Sequence, residues 1–110
     1  MMAGSVNRQA TTREALLERR LALVGNVSAL TAEALRLNQK LAGLEMDLLR
    51  VELEIGRSGA SAQLVQDLHE AEESAKAIMN SRAACETRIA TAEGQIADVD
   101  RELAATVNED

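Results

Sequence analysis

Residues 16–55 read LLERRLALVGNVSALTAEALRLNQKLAGLEMDLLRVELEI, and the spacing of the apolar residues in this stretch decides the fold. Taken alternately four and three apart, the positions are Leu16, Arg20, Leu23, Val27, Leu30, Ala34, Leu37, Leu41, Leu44, Leu48, Val51 and Ile55, eleven of the twelve apolar. A repeat averaging 3.5 residues keeps one seam of a helix facing a partner as the two supercoil, so the pattern predicts a coiled coil. Leu16, Leu23, Leu30, Leu37 and Leu44 take the d positions. Val27, Ala34, Leu41, Leu48 and Ile55 take a.

On the N-terminal side, residues 1–10 include Gly4, Ser5, Asn7 and Gln9 with little periodicity, and read as a flexible or partner-ordered arm. Thr11 followed by Glu14 has the spacing of a capping box, which predicts a helix from residue 11 to 55. On the C-terminal side, Gly56, Ser58, Gly59 and Ser61 crowd into six residues and the next apolar positions fall out of phase, which predicts a turn over 56–61. Ser58 or Ser61 is placed to cap a second helix over 61–107, ahead of a short tail at 108–110. Its seam runs Leu64, Leu68, Ala71, Ala75, Ile78, Arg82, Cys85, Ile89, Ala92, Ile96, Val99 and Leu103.

Two helices joined by so short a connection fold back on one another. The expected fold is therefore all-α, a long antiparallel two-helix hairpin within a multi-helix bundle. Placing Ile55 near Leu64 sets Leu44 against Ala75, Leu41 against Ile78, Ala34 against Cys85 and Val27 against Ala92, so that large residues often face small ones. The same register lays the basic Arg13, Arg19 and Arg20 beside Asp98, Asp100 and Glu102.

Composition agrees with continuous helix: Phe, Trp, Tyr and Pro are all missing while Ala occurs twenty times. A lone pair of helices offers only a thin core, and helix one carries more apolar surface than one seam uses. Leu17 and Val24 recur at e, and Leu21, Leu35 and Leu49 at b, with Met46 and Leu53 on the outer face. A row of such residues open to water is an aggregation hazard for a monomer, which points to self-association or to docking on a larger assembly.

Arg20 and Arg82 interrupt the two seams. Each either demands a carboxylate from a specific partner or lays its stem along the seam and its head in water. Acidic residues gather toward the turn, where residues 45–76 hold eight acids against Arg50, Arg57 and Lys76. Within them Glu70, Glu72 and Glu73 form a solvated face or a site for a basic partner.

Chemistry-bearing motifs are few. His69 and Glu73 share a helical face, but a zinc-protease pattern needs a second His at 73, and the helical carboxylate–histidine iron pattern needs Glu at 66 in place of Gln66. Gly56 and Gly59 lack the Lys-Ser/Thr pair of a phosphate loop. Cys85 lies on the seam as a small apolar residue and has no disulfide partner in the chain. No catalytic, cofactor or metal residues are expected, and the net charge of −6 without stacking aromatics disfavours nucleic acid. The longest apolar run, Leu21–Val24, is far too short to span a bilayer, and residues 1–9 lack a secretory signal pattern.

In outline the chain is similar to the hairpin chaperones of secretion systems and to small helical parts of bacteriophage particles, without a residue motif that ties it to either. The expected role is a non-catalytic structural or adaptor subunit that contributes helices to an assembly of that kind, with protein partners and a cytoplasmic or virion setting. Two other roles are an escort chaperone that covers the apolar face of another helical protein, and a small acidic inhibitor. The interaction residues are Leu17, Leu21, Val24, Leu35, Leu49, Arg20, Arg82, Glu70, Glu72 and Glu73.

Overall fold

The computed structural model describes residues 2–108, with side chains over 12–107. Two helices account for nearly all of it, α1 from Met2 to Ser58 and α2 from Ala62 to Asn108, and they pack together as a hairpin with no strand among the described residues. The chain divides into two compact units. A tip unit comprises residues 32–86 and contains the turn; a terminal unit comprises residues 1–31 and 87–110.

Burial follows the predicted seams. In α1 every seam residue from Leu16 to Ile55 is buried or half-buried, and Glu33 is the one additional position in that range. In α2 every seam residue from Leu64 to Leu103 is likewise covered, joined by Asp67 and Thr106. The tip unit is centred on Leu37, Leu41, Ala75 and Cys85, and the terminal unit on Ala92 and Val99, each of the last two only 2% exposed. Small residues dominate because two helices approach closely only where one of each facing pair is small.

Cross-helix bonds fix the direction in each unit. In the tip unit Arg82 donates from Nη1 to Asn38 Oδ1 at 3.1 Å. In the terminal unit Arg20 donates from Nε to Asp100 Oδ1 at 2.6 Å. The predicted register places residue 82 opposite 37 and residue 20 opposite 99, so each bond joins positions within one residue of that register.

The turn is shorter than the sequence suggests. Helix α1 continues through Gly56 and Arg57 to Ser58, leaving only Gly59–Ser61 outside a helix where the spacing predicted 56–61. Gly56 costs a helix about 1 kcal/mol, too little to end one already held by its seam. Gly59 ends it instead, adopting φ 82° and donating its N–H to the Ile55 carbonyl at 2.8 Å, a left-handed C-terminal cap. Ser61 then opens α2, its Oγ accepting from the Leu64 N–H at 3.1 Å.

At the other end α1 begins at Met2, where the capping box had put the start at residue 11. Gly4, Ser5 and Asn7 are weak helix formers, yet no proline interrupts them and a helix once nucleated propagates through such residues. The side chains of the predicted arm, and Glu109 and Asp110 of the predicted tail, lie outside the described residues.

Candidate protein interaction faces

The residues that the seams leave over are where this fold meets its surroundings. In the terminal unit Leu17, Leu21 and Val24 recur four and three apart, which lines them along one face of α1. All three are exposed, Leu21 to 74%. In the tip unit Leu35 and Leu49 are exposed on α1 together with Leu53 and Met46, the last to 69%. The five leucine and valine positions singled out from the sequence are thus all on the surface, in two separate groups.

The structure adds apolar surface that the α1 pattern did not reveal. Val65 and Met79 are exposed on α2 in the tip unit and Val107 on α2 in the terminal unit. Their signal in the sequence was position: Val65 and Met79 each directly follow a seam residue and so turn away from the seam, and Val107 lies beyond its last residue, Leu103. Beside Met46 a shallow groove is lined by Gly43, Leu44, Lys40 and Ile78.

Arg20 and Arg82 behave differently from these. Their stems lie along the seam while their heads find partners within the chain, and neither is buried. Arg20 grips Asp100, whose hydrogen bond and charge push the guanidinium further up its already high range. Arg82 adds Glu86 at 3.9 Å to its bond with Asn38. Whatever registry these arginines enforce is enforced between α1 and α2.

Glu70, Glu72 and Glu73 are exposed on α2, and Glu70 accepts a hydrogen bond from Gln66 Nε2 at 2.9 Å. Nearby His69 is exposed and Cys85 buried, more than four helical turns apart on the same helix. Among the described residues no three His, Cys, Asp or Glu side chains gather where a metal could be held. No described helix is long and apolar enough to cross a membrane.

Local ion pairs engage part of the remaining charge. Arg36 donates to Glu33 and Arg101 to Asp98, both three residues apart, and Arg50 reaches Asp47 at 3.2 Å. The Arg36 hydrogen bond, backed by its charge and more weakly by Lys40, holds the Glu33 carboxyl below the usual range. Comparison with known protein families, curated proteins and solved structures finds no match to this chain. Its surfaces therefore carry the functional argument.

Proposed function

We propose that this chain is a non-catalytic structural or adaptor subunit that lends a helical hairpin to a larger protein assembly, packing the outer face of α1 against other helices. The observation that carries this reading is the exposed row Leu17, Leu21 and Val24, beside a core whose most buried members are Ala92 and Val99. Burying a leucine is worth about 1.5–3 kcal/mol, so an association that covers such a row gains on the order of a few kcal/mol. The partners are helices with apolar faces of their own, because a helix face offering alternate three- and four-residue spacing is matched by another of the same kind.

The size distribution of the tagged chain in extracts of its source cells tests this. We expect the wild-type chain to travel in complexes much larger than its own 11.8 kDa, and a Leu17→Gln/Leu21→Gln variant to leave them while its helical circular dichroism is unchanged. A variant that stays in the same complexes would refute the role given to this face. Reversible capture of a single aggregation-prone client, with no lasting complex, would instead favour the escort-chaperone role.

A further inference from the structure

The outer face of α1 in the tip unit carries a second heptad frame, separate from the seam. Leu35, Ala42 and Leu49 recur every seven residues, and Met46 and Leu53 recur at the same interval four residues after Ala42 and Leu49. The four large residues are each more than half exposed, and Ala42 is exposed with them. Read as a new coiled-coil frame, Leu35, Ala42 and Leu49 stand at d and Met46 and Leu53 at a. Gln39, at the a position before them, is the polar member of the set.

The edges of this face are charged, and with opposite signs. The residues preceding the two apolar a positions are Glu45 and Glu52, which takes the g edge. On the e edge stand Arg36, Gly43, Arg50 and Arg57. All five charged residues are exposed; Glu45, Glu52 and Arg57 have no ion pair among the described residues, while Arg50 has only its exposed neighbour Asp47.

In a parallel pair of helices each g residue meets the e residue five positions later on its partner, whereas in an antiparallel pair g meets g and e meets e. Applied to two copies of this helix, the parallel arrangement sets Glu45 against the second copy's Arg50, and Glu52 against the second copy's Arg57. Two-fold symmetry then repeats both pairs. The antiparallel arrangement would set glutamate against glutamate and arginine against arginine.

From this complementarity we infer that the tip unit binds a second copy of the same chain through the outer face of α1, with the two α1 helices parallel. The inference rests on the reading that α1 works by packing its outer face, and names one partner for it. It uses a different group of residues from Leu17, Leu21 and Val24, so the two fail separately.

Sedimentation equilibrium of the purified full-length chain provides the test, with two charge-swapped variants, Glu45→Arg/Glu52→Arg and Arg50→Glu/Arg57→Glu. The wild type is expected to be a dimer that weakens as salt screens the edge pairs. Each variant alone, its helical content intact, is expected to shift to monomer, and an equimolar mixture to dimerise again because its edges are once more opposite in sign. A wild type that is monomeric throughout the concentration range overturns the inference. So do variants that dimerise as tightly as wild type, or a mixture that stays monomeric. A monomeric wild type whose complexes in cell extracts still depend on Leu17 and Leu21 would remove this partner and leave the broader function standing.

Discussion

Single residues in this chain divide into those held by a neighbouring side chain, on their own helix or the opposite one, and those with nothing against them. Gly25 and Gly94 are of the second sort: a methyl group added to either would meet nothing within 4 Å. Replacing each by alanine in the isolated chain should therefore raise stability by about 1 kcal/mol, the ordinary cost of glycine inside a helix, as read by urea unfolding. Loss of assembly on either substitution, with the hairpin stabilised, would show that a partner backbone approaches there. Glu33 is held by Arg36, and its lowered carboxyl pKa has a definite sign. The contribution of this pair is fully present above the unfolded glutamate value of about 4.3 and fades as pH falls through the lower folded value. Carboxyl carbon titration by NMR should find Glu33 protonating at lower pH in the wild type than in an Arg36→Gln variant. Glu33 was not legible in the seam spacing, because it flanks Ala34 and is covered through its stem; neither was Asp67, which lies beside Leu68 and accepts from Gln63 at 2.8 Å.

Each helix was legible where its seam was regular and illegible where the backbone had to choose an end. The alternation of four and three identified every covered seam position from Leu16 to Ile55 and from Leu64 to Leu103, since a seam is a property of side-chain spacing alone. Ends depend on marginal local energies. The cluster of glycine and serine after Ile55 announced a turn without showing that Gly59, and not Gly56, would take the left-handed conformation. Gly59→Ala should cost about 1–2 kcal/mol, the penalty for an L-residue there, while Gly56→Ala should stabilise. Ser61→Ala should cost about 1 kcal/mol through loss of the cap on the Leu64 N–H. Thermal unfolding followed at 222 nm distinguishes the three. Within the tip unit Leu41→Ala is expected to be more damaging, by about 2–5 kcal/mol, because this side chain is buried between two helices that have little else to close the gap.

For the molecule as a whole, the sequence identified a candidate interaction surface by excess: more leucine on α1 than one seam consumes. The structure places that excess in water at Leu17, Leu21, Leu35 and Leu49, and separates it from the seam that closes the hairpin. What the sequence could not identify is the occupant of that surface, because an apolar face specifies a helix as partner without specifying whose. Only in the tip unit do charged edges narrow the choice, through Glu45, Glu52, Arg50 and Arg57. Arg20 and Arg82 looked equally suited to specifying a partner; each holds a residue of the opposite helix, Asp100 and Asn38, with a head that stays at the surface. The measurement that bears most directly on the central claim is the thiol reactivity of a Leu21→Cys chain in a Cys85→Ala background, compared between the purified chain and its complexes from source-cell extracts. An exposed control at Glu93→Cys on α2 reports general crowding. Slow labelling of residue 21 in the complexes, beside rapid labelling in the purified chain and at the control, is the predicted result. Equal rates at residue 21 in both states would contradict the claim that this hairpin works by covering the outer face of α1.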